Sequence, residues 1–160
     1  MKKYEFTGET KKVEMLFRIV TLHRIRATVS FGLVEVGELG GWIEKEENLS
    51  HDGKAWVCGD AKVWGNAEVW GNAEVFSASH VLVIGAIGSR NDFTTFYRDK
   101  DNEITVKCGC FLGKIDKFLQ KVTETHGDSK YALVYRAAVE VAKLQIDLSG
   151  EAPKEEDGAE

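Results

Sequence analysis

Between residues 55 and 78 the chain repeats itself every six residues. The units are Ala55-Trp-Val-Cys-Gly-Asp60, Ala61-Lys-Val-Trp-Gly-Asn66, Ala67-Glu-Val-Trp-Gly-Asn72 and Ala73-Glu-Val-Phe-Ser-Ala78. A period of six is neither helical nor a plain alternation, so it limits the architecture before any element is assigned. Val57, Val63, Val69, Val75 and Val81 hold the third position; Ala55, Ala61, Ala67, Ala73 and Ser79 hold the first. Residues two apart on a short strand share a face, so each Ala and its Val point together into one narrow interior. Gly59-Asp60, Gly65-Asn66 and Gly71-Asn72 supply residue types that tolerate positive φ at a tight corner. Strand and corner alternating at this period predict a short parallel β-helix of the left-handed type. With about three hexapeptides per turn, the repeat closes roughly one and a half turns. Such a stack cannot bury its own ends, so the flanks are expected to share its core and to carry the function.

Those flanks read as mainly β, with helices at the C-terminal end. Leu16 to Phe31, rich in Val, Ile, Thr and Phe, suggests two strands or a hairpin. Gly37, Gly40 and Gly41 ahead of Trp42 mark a sharp bend into the coil. Val81-Leu-Val-Ile84 is a buried strand, and Phe93–Tyr97 and Ile104–Phe111 are strands around the turn Asp99–Asn102. Ile115, Phe118, Leu119 and Val122 fall at helical spacing, ended by His126-Gly127. Asp128 or Ser129 can cap a second helix with a stripe of Tyr131, Tyr135, Ala138, Ala142 and Ile146. The expected organisation is an N-terminal β cap over 1–48, the repeat over 49–84, a C-terminal α/β segment over 85–147, and an acidic disordered tail over 148–160.

Charge and cysteine usage exclude several classes. The tail sets Glu151, Glu155, Glu156, Asp157 and Glu160 against Lys154, a net −4 of the chain's −5. The remainder is nearly neutral, which gives no basic face for nucleic acid. Met1-Lys-Lys-Tyr-Glu-Phe6 lacks the apolar run of a secretory leader, and no stretch is long enough to span a membrane. An odd count of three cysteines fits a reducing cytoplasm. Cys108-Gly-Cys110 offers two ligands where zinc takes four, so it reads as two thiols flanking a glycine within a strand. No metal and no cofactor is expected.

Several motifs occur in order: Leu39-Gly-Gly-Trp-Ile-Glu44, Asn48-Leu-Ser50, the Ala-x-Val-x-Gly-Asn units, Ile87-Gly-Ser-Arg-Asn91, Thr94-Thr-Phe-Tyr-Arg98, Cys108-Gly-Cys-Phe111 and Glu124-Thr-His-Gly127. Together, over roughly residues 15 to 147, they resemble a family of phage and prophage proteins of Gram-positive bacteria, often labelled only as hexapeptide-repeat or polymer-forming. The resemblance implies a viral accessory protein acting in the host cytoplasm and carries no established activity.

The densest group of ligand-friendly residues is Gly88, Ser89, Arg90, Asn91, Asp92, Thr94, Thr95 and Arg98. Glycine permits close backbone approach, hydroxyls and amides donate, and two arginines offer forks for phosphate or carboxylate. The grouping suits an anionic, nucleotide-like ligand; the competing reading is a polar corner in which Arg90 pairs with Asp92. His23, Arg24 and Arg26 would add donors if their strand lay alongside. Proteins with such a repeat are often acyltransferases with a histidine base, but His51 reads as a turn residue and His80 as an exposed strand position. No catalytic set is therefore expected. Trp64, Trp70 and Phe76 follow the inward valines and must face outward, which favours a homo-oligomer. The leading expectation is a non-enzymatic binding protein that counters host antiviral defence, by sequestering a phosphorylated signal or blocking a host protein. A hexapeptide-repeat acyltransferase and a structural or virion component are the alternatives.

Overall fold

Charges at Glu5, Glu9, Lys11, Lys12 and Glu14 suit a largely wet strand anchored at its start by the buried Tyr4. The computed structural model, which describes residues 2–149, places strand β1 there, over Tyr4–Glu14. It pairs antiparallel with β2 (Ile19–Ala27). Two strands or a hairpin are expected within 16–31, but only β2 lies there; its partner β1 precedes that stretch and is hard to read, because only Tyr4 and Phe6 mark it as apolar at its start. Strand β3 (Leu39–Ile43) follows, then β4 (Trp56–Val57), β5 (Lys62–Val63) and β6 (Glu74–Val75) from the repeat. Next come β7 (Val81–Ile87), β8 (Asp92–Arg98), β9 (Ile104–Cys108) and β10 (Phe111–Lys114), and then helices α1 (Ile115–His126) and α2 (Lys130–Gln145).

The expected parallel β-helix is overturned. The strands form separate sheets rather than a solenoid: one of order β1-β2-β3-β5, one of order β10-β9-β8-β7, and a two-stranded piece β4-β6. The second sheet is antiparallel throughout, and among the described residues parallel pairing is confined to β3–β5, β4–β6 and the bridge Leu49–Val69. The reason is length. A six-residue unit with a corner leaves strands of two residues, while the antiparallel hairpins supply strands of up to eleven. The repeat does decide which side chains go inside. Val57, Val63, Val69 and Val75 are at most 2% exposed, and Ala55, Ala61, Ala67 and Ala73 are also buried. Val81 leaves the pattern, half-buried on β7 of the other sheet.

Two of the clustered glycines sit within β3 instead of a bend. Gly40 and Gly41 are buried there because other chain segments lie too close for a side chain. A Cβ on Gly41 would come 2.6 Å from the Ala61 carbonyl oxygen, and one on Gly40 would come 2.7 Å from the Trp56 ring. Asn48, fully buried, fixes the next corner: its amide donates to the carbonyls of Gly65 and Ala67, and its Oδ1 accepts from Lys45 N–H.

The second sheet is a wall between two cores. Val81, Val83 and Tyr97 face the repeat and join Val57, Val63, Val69 and Val75. Leu82, Ile84, Phe96 and Val106 face the helices and join Phe118, Val122, Tyr135 and Val139. The outward aromatics of the repeat are half-buried against the chain itself. Trp64 packs beside Val20, Leu22 and Trp42, Trp70 lies 4.6 Å beneath the Lys107 ammonium, and Phe76 lies beneath Arg98 and against His80. Leu148 packs half-buried on the helix-side core, so ordered structure extends past the expected start of the tail. Residues 150–160, most of that expected tail, lie outside the described residues.

Candidate functional site

Antiparallel order brings two turns to the same end of the second sheet. β7 and β8 are joined by Gly88–Asn91, while β9 and β10 are joined by Gly109-Cys110, with Thr94 of β8 opposite Cys108 of β9. β10 runs to the far end, so α1 returns and delivers its C-terminal turn above the two turns. Between them lies a cavity of about 250 Å³. Ser89, Arg90 and Asp92 line one side, Cys108 to Phe111 another, and Lys121, Thr125 and His126 of α1 a third; Phe118, Val122 and Tyr135 form the base. Phe118 stands edge-on to Tyr135 at 5.6 Å between ring centres, and His126 stacks on Tyr135 at 5.8 Å.

Tyr135 is the keystone of this base. Its hydroxyl reaches Gly88, whose φ is +77°, and a Cβ there would overlap the hydroxyl. Burial pushes the phenol up to about 12, aided by the adjoining, hydrogen-bonded Cys108 thiol and by Asp92, and opposed by Arg90. The Thr94 hydroxyl donates to Cys108 Sγ at 3.3 Å. Tyr135 therefore stays a neutral hydroxyl at physiological pH. Arg90 and Lys121 are exposed cations on the rim, and Arg90 makes no ion pair with Asp92 among the described residues.

The residues singled out in sequence are only partly brought together. Ser89, Arg90 and Asp92 line the cavity, Gly88 seats Tyr135, and Asn91, at φ +48°, closes the turn by donating its N–H to the Gly88 carbonyl. Thr94 points toward the helices, but Thr95 points the other way and accepts the Glu68 N–H on the repeat side. Arg98 lies six residues beyond Asp92, roughly 20 Å along an extended strand, and donates to Asn102 Oδ1 at 2.7 Å. One small ligand cannot meet both arginines. His23, Arg24 and Arg26 belong to β2 in the other sheet, where His23 stacks on Phe6 and Arg26 pairs with Glu5.

Other motifs are also placed differently from expectation. Cys108-Gly-Cys110 is a hairpin turn with Gly109 at φ +56°, not strand interior. His80 is 7% exposed in a short 3-10 turn, its Nδ1 accepting the Phe76 N–H. His51 stacks on Tyr4 at 4.1 Å and accepts the Lys3 N–H. Burial holds both imidazoles below their ordinary range. From the sequence, His126 reads only as a helix end, Tyr135 only as part of the second helix's stripe, and Lys121 is not singled out; the one available signal is Lys121 and Thr125, four apart and so on one face of α1. No group of three or more metal-ligating side chains occurs among the described residues, and none of their helices is long and apolar enough to cross a membrane. No protein-family model and no curated protein matches the chain.

Proposed function

We propose that this chain is a non-enzymatic binding protein whose cavity at the end of the second sheet takes a phosphorylated small molecule. The observation that carries this is Arg90, an exposed guanidinium without an ion pair among the described residues, standing with Lys121 on the rim of a cavity based on aromatic rings. Cations on a rim supply charge-assisted hydrogen bonds to phosphate, and rings supply a flat apolar surface. The phage resemblance gives the setting: an accessory protein in the host cytoplasm that withdraws a nucleotide-like signal from antiviral defence. In both His51 and His80 the Nδ1 lone pair accepts a backbone N–H, so the neutral ring carries its proton on Nε2 and has no free basic nitrogen, which favours binding over acyl transfer. The deciding experiment is thermal shift against phosphorylated ligands, with native mass spectrometry of protein taken from an infected, defence-active host. A stabiliser whose effect disappears in Arg90→Ala supports the reading; the absence of any phosphorylated stabiliser or co-purified ligand overturns it.

A second reading, blocking of a protein, has its own observation. Leu133, Ala137, Val141 and Leu144 form an exposed apolar stripe on the side of α2 away from the sheet. Contiguous apolar exposure of this kind marks association surfaces, and it supports self-association better than the half-buried tryptophans do. Sedimentation equilibrium of wild type and Leu144→Lys separates the cases: a monomer in both removes the homo-oligomer.

A further inference from the structure

We infer that the cavity selects a nucleoside monophosphate over diphosphates, dinucleotides and cyclic oligonucleotides; this rests on the small-molecule reading above. Size is the first argument. A volume of about 250 Å³ lies below the roughly 300–1,000 Å³ of sites that enclose drug-sized ligands. It has room for one ring and one phosphate with the sugar partly in solvent. Charge is the second. A phosphomonoester carries about −1.5 to −2 at neutral pH, and the rim offers two cations, Arg90 and Lys121. Asp92 on the same rim repels a further phosphate, and its carboxylate is suited to accept hydrogen bonds from a ribose diol.

The helix sets the orientation. α1 ends at His126, so its carbonyl end carries partial negative charge beside the cavity. The phosphate therefore belongs between the Ser89–Arg90 side and Lys121, back from the helix end, where the Ser89 hydroxyl can also donate. The base belongs against His126 and Tyr135, whose stacked rings already define a plane. Tyr135, only 8% exposed and held as a neutral phenol against Gly88 and Cys108, backs the His126 ring, so the more accessible imidazole is the face that meets the base.

Isothermal titration of the whole chain with adenosine and cytidine 5′-monophosphates, the matching nucleosides, inorganic phosphate, ADP and a cyclic dinucleotide tests this. The expected result is that at least one monophosphate binds about tenfold or more tighter than its nucleoside, inorganic phosphate, ADP or the cyclic dinucleotide. Arg90→Ala and Lys121→Ala should each weaken it by about ten- to a hundredfold, and Asp92→Asn should narrow the gap to ADP. These are exposed residues, and unchanged melting of the variants verifies their folding. Tighter, Arg90-dependent binding of ADP or the cyclic dinucleotide overturns the monophosphate inference and leaves the small-molecule reading standing. Nucleoside binding equal to that of the monophosphate, or binding indifferent to Arg90, overturns the inference at the phosphate. No binding by any of them defeats both.

Discussion

Replacing Gly88 with alanine tests whether the β7–β8 turn and α2 are locked together as described. Two costs are present at this position. The backbone sits at φ +77°, where an L-residue with a Cβ pays about 1–2 kcal/mol. The added methyl would also overlap the Tyr135 hydroxyl and press its Cε2 at 3.0 Å; overpacking of this sort costs about 1–3 kcal/mol. The sum is about 2–5 kcal/mol, a fall of roughly 4–20 °C in Tm for a domain of this size. The two parts separate in a double-mutant cycle with Tyr135→Leu, read by urea denaturation. In the leucine background the ring is gone, so only the backbone cost of about 1–2 kcal/mol should remain. The coupling between the two sites should then be about 1–3 kcal/mol. Additive effects within about 0.5 kcal/mol would show that the two groups do not touch and would remove the base of the cavity as drawn.

Three further outcomes are expected. Val69→Asp should abolish cooperative unfolding and near-UV dichroism, because Val69 is fully buried and an unpaired carboxylate there costs a large part of a total stability of about 5–15 kcal/mol. Asn48→Ala strips partners from the Gly65 and Ala67 carbonyls and the Lys45 N–H, and should cost about 2–4 kcal/mol by chemical denaturation. Stability should fall as pH drops below about 6.5, the ordinary histidine value, because His80 and His51 are held below it in the fold and the unfolded chain takes up protons first. Denaturation midpoints between pH 7 and 5 should show that slope, and His80→Gln should flatten it.

Some of the site was legible in the residues and some was not. Gly88 and Asn91 signal a turn because both tolerate positive φ, and that turn forms with Ser89, Arg90 and Asp92 at the cavity. The two-residue alternation of a strand already assigns Thr94 and Thr95 to opposite faces, so grouping them as one site ignored a readable constraint. Arg98 was grouped with Arg90 because they are near in sequence, but an extended strand turns eight residues into a long separation. Lys121 and His126 could not be read, since the direction in which α1 returns depends on the length and pairing of β10. The glycine of Gly88 was expected to admit a ligand; the group it admits is the Tyr135 hydroxyl. The period of six identifies the buried alanines and valines from Ala55 to Val75 but not Val81, and it says nothing about ladder partners, which is where the β-helix expectation fails.

Because adjacent residues of β7 and β8 serve different cores, the two strands are intolerant of changes in length. Inserting one residue within β8 would turn Phe96 toward the repeat and send Thr95 among the helix side chains, damaging both compartments together. Variation in chain length is thereby steered to the joints between strands, and Gly88–Asn91 and Gly109-Cys110 are two of these. Both border the cavity, so the parts of this protein most open to inherited change are those that touch whatever enters it. A lineage of such chains could alter the lining of this cavity repeatedly while the wall behind it stayed the same.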